Sequence, residues 1–110
     1  MPAMIAQPTT RLVAALTKRI VNAVHPLRII LFGSAARGEL RAESDLDVMV
    51  VMPNGTPCAT TARYLYQQMS GFGFPLDIVV TTPMVLEQNK DNIGLIYRSV
   101  LAEGKEIYAA

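Results

Sequence analysis

The sequence predicts an α/β (α+β) fold, a small mixed β-sheet covered by helices, in a single domain. Its 110 residues leave room for one core, and about half of them are hydrophobic. Apolar runs of strand length alternate with amphipathic runs of helix length, in the order helix, strand, strand, helix, strand, helix. We expect residues 1–8 to be a loosely ordered N-terminus and residues 9–110 to form the domain.

The spacing of apolar residues, a capping residue and a proline predict the first helix and the first strand. Apolar residues recur at helical spacing over residues 12–24, and polar residues lie between them. Thr9 or Thr10 is available as the N-cap, and the helix has to end before Pro26. Residues 27–32 are short and mostly apolar, which predicts a strand.

The middle of the chain predicts a connection, a second strand and a second helix. The connection 33–44 is polar and contains glycine, and it could begin with a short helix. The strand over 45–52 ends at the turn signal Pro53-Asn54-Gly55. In Thr56-Pro57 we expect threonine to be the N-cap and proline to take the first helical position, and Gly71 is a natural stop for this helix.

The last third of the chain repeats the pattern. Residues 74–81 form an apolar run that predicts a third strand. Thr82-Pro83 repeats the capping start, and the apolar residues over 93–101 indicate a last helix that ends at Gly104. Residues 105–108 could add a short strand.

The bulk properties exclude several classes of protein. A formal net charge of +1 at pH 7 provides no general field for polyanions, so we do not expect strong nucleic-acid binding. Cys58 is the only cysteine, which excludes an internal disulfide and fits a reducing cytoplasm. Neither a signal-peptide pattern nor a run of the roughly 18 apolar residues that a membrane helix needs is present. We therefore expect a cytoplasmic protein that is not associated with a membrane.

Three aspartates form the first part of a candidate site. Asp45 and Asp47 open the second predicted strand, and alternate strand residues project from the same face. At about 5 Å and an effective dielectric of about 20 the two charges repel by roughly 3 kcal/mol, so we expect a cation to neutralise them. Asp77 lies in an apolar strand, where a charge is costly unless it is paired or metal-bound. Three carboxylates suit two Mg²⁺ ions, which can hold the attacking and the leaving oxygen in a phosphoryl-type displacement.

The turn at Gly33 and Ser34 forms the second part. Glycine lets the backbone approach a phosphate closely, and Ser34 adds a hydroxyl group. Arg37 and Gly38 continue a loop that could contact the same phosphates. Each signal alone has a simpler explanation: a plain turn, a strand end that faces water, or, at Asp77, an edge-strand charge that discourages aggregation. Their combination in this order and at this spacing favours a shared site.

The ordered set of motifs resembles a known signature. Gly33-Ser34, ten residues, and Asp45-Leu46-Asp47, with Asp77 on a later strand, is similar to the signature of the DNA polymerase beta-like nucleotidyltransferase superfamily. The longer form Gly33-Ser34-Ala35-Ala36-Arg37-Gly38-Glu39…Ser44-Asp45-Leu46-Asp47 resembles its smallest branch, the minimal nucleotidyltransferases. The likeness spans most of the chain.

This resemblance has consequences for fold, chemistry and partner. It implies a nucleotidyltransferase fold, two Mg²⁺ ions and a nucleoside triphosphate, usually ATP. The implied metal-binding and catalytic residues are Asp45, Asp47 and Asp77, and the implied nucleotide-binding residues are Gly33, Ser34, Arg37, Gly38 and Ser44. Minimal nucleotidyltransferases are commonly paired with a helical HEPN-domain toxin, and they can act as its antitoxin by transferring AMP to a toxin tyrosine. The short chain leaves no room for a substrate-binding domain, which agrees with an acceptor supplied by another protein.

Two other functions stay open. A binding antitoxin would neutralise its partner through its surface alone, and Asp45→Asn and Asp77→Asn would then leave neutralisation unchanged. A small-molecule transferase of the antibiotic-modifying type would need a substrate pocket, which a homo-oligomer could provide.

Overall fold

The computed structural model describes residues 10–33, 36, 45–90, 100 and 103–110. The elements formed by these residues are, in chain order, helix α1 (Thr10–Val24), strand β1 (Arg28–Phe32), strand β2 (Leu46–Val51), helix α2 (Cys58–Gln68), strand β3 (Leu76–Thr81), helix α3 (Pro83–Asn89) and strand β4 (Lys105–Ala109). This arrangement confirms the predicted α+β class and the closing strand. The expected loose N-terminus, most of the 33–44 connection and most of the 93–101 helical stretch lie outside the described residues.

The strands form one mixed sheet in the order β3-β2-β1-β4. Strand β1 pairs antiparallel with both β2 and β4, whereas β2 and β3 are parallel. Strand β2 is a nearly continuous apolar run because both of its faces are covered, as expected for a central strand.

Each face of the sheet is covered by its own hydrophobic core. On the first face, Leu16 and Ile20 of α1 and Leu65 of α2 are completely buried against alternate residues of the strands. On the second face, Leu86 of α3 and Val100 pack against the other set of alternate strand residues, which includes Ile30 and Met49. Helix α1 is amphipathic because its apolar residues recur at helical spacing, and this spacing directs Leu16 and Ile20 into the first core. None of the helices in the described part of the chain has the length and apolar character of a transmembrane segment.

The two Thr-Pro signals have different outcomes. Thr82 is the N-cap of α3, as predicted, and its Oγ1 accepts a hydrogen bond of 3.3 Å from the backbone N–H of Val85. The predicted capping role of Thr56 is wrong. Its hydroxyl donates to the backbone oxygen of Pro53 at 2.7 Å, so the preceding turn uses it, and Pro57 is the N-cap of α2 without a side-chain cap.

Candidate functional site

Asp47 and Asp77 lie directly opposite each other in the parallel pair of β2 and β3. The neighbours of Asp47 in the chain, Leu46 and Val48, belong to the first core, so the alternation of a strand places Asp47 on the second face. By the same alternation Ile78, in the first core, places Asp77 on the second face as well. Because adjacent strands are about 4.8 Å apart, the two carboxylates leave the sheet side by side.

The backbone of Gly33 lies against the carboxylate of Asp47. Gly33 follows Phe32, the last residue of β1, which pairs with Asp47 across the strands. A Cβ atom at position 33 would overlap Oδ2 of Asp47, and the backbone has φ +71°, in the left-handed region that favours glycine. The structure therefore brings the predicted turn and the predicted acid together. The close approach of Gly33 to a phosphate stays a prediction.

Asp45 directly precedes β2 and is exposed. Its neighbour Leu46 donates its N–H to the oxygen of Pro75 at 2.9 Å, so the pairing with β3 extends to the first residue of β2. Within the described residues, no group of three Asp, Glu, His or Cys side chains is arranged to hold one metal ion. The sheet register brings Asp47 and Asp77 together. The convergence of all three aspartates at ligand distance stays a prediction.

The environment of Asp77 differs from the sequence-based expectation. The apolar neighbours in the chain suggested that its charge is costly because it is buried, but Asp77 is exposed near the start of β3, which is an edge strand of the sheet. The cost arises instead from the register, because like charges directly opposite each other on neighbouring strands are destabilising. An exposed charge on an edge strand also discourages strand addition, but that role requires no second acid at Asp47.

The remaining predicted ligands lie outside the described residues. They are Ser34, Arg37, Gly38 and Ser44, and their contributions to the site stay predictions. Sequence reasoning missed one residue beside the site. Tyr66 of α2 is 46% exposed, and its hydroxyl accepts a hydrogen bond from the backbone N–H of Ile78, the residue that follows Asp77. No sequence signal indicates this contact, because it depends on how α2 packs beside β3.

The described donor atoms fit Mg²⁺. This ion prefers hard oxygen ligands, and in nucleotide enzymes one or two carboxylates bind it together with phosphate oxygens and water. Asp47 and Asp77 provide two adjacent carboxylates, and the backbone of Gly33 lies directly against the carboxylate of Asp47. The pair also has a reason to bind a cation, since the two like charges face each other across the strands.

Two of the surface grooves that the described residues form lie away from the aspartate pair. One, of about 630 Å³, lies between α1 and β4, and the other, of about 370 Å³, lies beside α3 and includes Val51 and Leu86. None of the described residues that line them is an aspartate. The aspartate pair thus belongs to the opposite end of β2 from the Val51 groove.

Comparisons with known proteins agree with the predicted family resemblance. The nucleotidyltransferase domain family matches residues 15–107, which is most of the chain. A protein provisionally described as a minimal nucleotidyltransferase has a similar structure, with 28% identity, a TM-score of 0.56, and coverage of 84% of this chain and 86% of that chain. No curated protein sequence matches the chain closely.

Two further structures with a similar fold are toxin–antitoxin complexes. One contains AMP-PNP, with 18% identity, a TM-score of 0.66, and coverage of 89% of this chain and 73% of that chain. The other is the MntA-HpeT complex in a variant with two Asp-to-Glu replacements two positions apart, with 19% identity, a TM-score of 0.64 and the same coverage of both chains, 89% and 73%. At this identity the similarity shows the fold alone. The predicted resemblance to nucleotidyltransferases and their minimal branch is confirmed.

Proposed function

The chain belongs to the nucleotidyltransferase domain family, and from this we propose that it is a Mg²⁺-dependent enzyme that transfers AMP from ATP to a hydroxyl group. The observation that supports this most strongly is the position of Asp47 directly opposite Asp77, with Gly33 against the Asp47 carboxylate. Two adjacent acids beside a turn without a side chain suit a metal-bound triphosphate.

The chain's own residues have separate roles in this proposal. Asp47 and Asp77, together with Asp45, would hold the ions. When bound, Mg²⁺ neutralises the triphosphate and stabilises the charge that develops as pyrophosphate leaves. Asp77 would in addition orient the acceptor hydroxyl or accept its proton, a role suited to an exposed carboxylate. Gly33 and Ser34 would bind the β- and γ-phosphates.

The loop residues would complete the nucleotide site. Arg37 would offer charged donors to the phosphates. Gly38 and Ser44 are assigned to the same site on the family resemblance. A positive side chain and a backbone that can approach closely are what a triphosphate requires, and the loop between β1 and β2 carries both residue types.

We propose a tyrosine of a HEPN-domain toxin as the acceptor, so that the chain acts as an antitoxin. Two structures of similar fold are toxin–antitoxin complexes, and one of them contains AMP-PNP, an analogue of ATP. The second carries replacements of two aspartates two positions apart, the spacing at which Asp45 and Asp47 occur in this chain. These similarities support the proposal through shared fold and motif spacing.

Label transfer tests this function. The chain is incubated with Mg²⁺, ATP labelled at the α-phosphate, and a HEPN-domain toxin as the candidate acceptor. We expect label on the HEPN-domain protein, and we expect Asp47→Asn and Asp77→Asn to abolish it. Glu87→Gln is a suitable control, because Glu87 is an exposed carboxylate on α3 that pairs with Lys90 instead. Transfer that is unaffected by Asp47→Asn would rule out the mechanism.

A neutralisation assay and a panel of aminoglycosides, added to the label-transfer experiment, separate the two competing functions. A binding antitoxin would neutralise the toxin without transferring label, and Asp45→Asn and Asp77→Asn would neutralise it equally well. A small-molecule transferase would label aminoglycosides in a panel of antibiotics and leave the HEPN-domain protein unlabelled.

A further inference from the structure

Tyr66 connects α2 to the strand that carries Asp77. Its hydroxyl accepts a hydrogen bond of 2.8 Å from the backbone N–H of Ile78, the residue that follows Asp77 in β3. The side chain is 46% exposed, so burial of the ring does not by itself explain its position on α2. The contact joins the helix on the first face to the outer edge of the sheet.

The backbone pattern of β3 shows which of its amides need a partner. Leu46 donates to the oxygen of Pro75, and Met52 donates to the oxygen of Thr81. The odd-numbered residues of β3 therefore direct their backbone groups toward β2, and the even-numbered residues, including Ile78, direct theirs outward. Because β3 lies at the edge of the sheet, no further strand of the described residues takes the N–H of Ile78. Tyr66 takes it.

The beginning of β3 needs such support. Gly73, in a left-handed conformation with φ +87°, comes shortly before the strand. The first two residues of the strand are incompletely buried: Leu76 is half-buried and Asp77 is exposed. In addition, the charges of Asp47 and Asp77 repel each other when no cation is present. This repulsion acts on the part of β3 where Ile78 donates its N–H to the Tyr66 hydroxyl.

We propose that Tyr66 is a positioning residue for the metal site. Its hydroxyl fixes β3 at Ile78 and so keeps Asp77 in register with Asp47. The inference rests on the proposed function, because it assumes that the two carboxylates share Mg²⁺. Tyr66 itself does not touch the ion or the nucleotide in this account.

The test compares two tyrosines of the same helix. Tyr66→Phe removes only the hydroxyl, and Tyr64→Phe is the matched control, because Tyr64 is similarly exposed at 43% and has no hydrogen bond through its hydroxyl within the described residues. Mg²⁺ affinity is measured by calorimetry in the presence of AMP-PNP, and amide exchange at Ile78 is followed by NMR.

We expect Tyr66→Phe to weaken Mg²⁺ binding by about two- to tenfold, the scale of one neutral hydrogen bond, and to speed exchange at Ile78. Tyr64→Phe should change neither. A merely structural role would lower the melting temperature equally with and without Mg²⁺ and leave the Mg²⁺ affinity unchanged, which would overturn the inference.

A third variant separates this inference from the proposed function. If Asp77→Asn weakens Mg²⁺ binding but Tyr66→Phe behaves like Tyr64→Phe, the proposed metal site stands and the role of Tyr66 is wrong. If Asp77→Asn leaves Mg²⁺ binding unchanged, the metal assignment is wrong, and the positioning role is wrong with it.

Discussion

The carboxylate of Asp47 occupies the space that a side chain at Gly33 would need. A Cβ atom built on Gly33 overlaps Oδ2 of Asp47, and the antiparallel pairing of Phe32 with Asp47 makes this approach a consequence of the sheet itself. Glycine at this turn is therefore required by the chain's own acid, independently of any ligand. The turn and the acid form one structural unit, and a change at either position should affect the other.

Gly33→Ala should disturb the site more than an ordinary glycine replacement. Both Gly33 and Gly55 have a positive φ, +71° and +91°, but a Cβ at Gly55 meets nothing within 4 Å. Each replacement should lower the free energy of unfolding by about 1–2 kcal/mol from backbone strain. Only Gly33→Ala should also displace Asp47 and weaken Mg²⁺-dependent binding of AMP-PNP, measured by calorimetry. Equal nucleotide affinity in the two variants would show that the contact with Asp47 does not matter.

Asp77→Asn should have opposite effects on stability without and with Mg²⁺. Without the ion, it removes a like charge opposite Asp47 and should stabilise the fold by roughly 0.2–1 kcal/mol, which raises the melting temperature by a few degrees. With Mg²⁺, an ion that binds only the native state stabilises it by about 2.7 kcal/mol at 100 times its Kd, and the variant should gain less. Thermal unfolding with and without Mg²⁺ measures both effects. A melting temperature that Mg²⁺ raises equally in both proteins would contradict the shared ion.

Thr82→Ala and Thr56→Ala should differ although both threonines precede proline. Thr82 caps α3 through the N–H of Val85, so its removal should cost about 0.5–2 kcal/mol of stability, and Thr82→Ser should retain most of it. Thr56 makes a turn contact with Pro53 and leaves the start of α2 uncapped, so its replacement should cost less. Urea unfolding of the three variants tests this. A larger loss in Thr56→Ala would reverse the assignment of the cap.

Leu65→Ala should be among the most destabilising changes in α2. Leu65 is completely buried in the first core, and truncation of such a side chain costs about 2–5 kcal/mol. Met84 of α3 is a control, because its side chain is 56% exposed, and Met84→Ala should stay within about 0.5 kcal/mol of the wild-type protein. Chemical unfolding measures both. Similar values for the two variants would mean that α2 does not pack as described.

Sequence pattern predicted the elements well where the apolar residues follow a clear helical spacing or form a continuous run of strand length. The helical spacing of residues 12–24 and the apolar run of residues 45–52 correspond to α1 and β2 within two residues at each end. The outcome at Thr56 was not predictable, because the preceding turn competes for the same hydroxyl. The contact of Tyr66 with Ile78 was not predictable either, because helical periodicity gives the face on which a residue lies and not the backbone group that a long side chain reaches.

The arrangement of the candidate site was predictable only in part. The order and spacing of the motifs predicted Gly33, Ser34, Asp45, Asp47 and Asp77 as members of one site, and the structure brings together the first, fourth and fifth of these residues. The register that sets Asp47 opposite Asp77 depends on the parallel pairing of two strands that are separated by α2, and sequence alone does not determine that pairing. The exposure of Asp77 also depends on its place at the sheet edge, which follows from the strand order.

Calorimetric titration of Mg²⁺ and AMP-PNP into the wild-type chain, Asp47→Asn, Asp77→Asn and the control Glu87→Gln measures the central claim most directly. Asp47 and Asp77 are expected to share the ion, so each Asn replacement should weaken the Mg²⁺-dependent affinity by at least about tenfold, whereas Glu87→Gln should bind as the wild-type chain does. Wild-type affinity in both Asn variants would contradict a metal site at the paired aspartates.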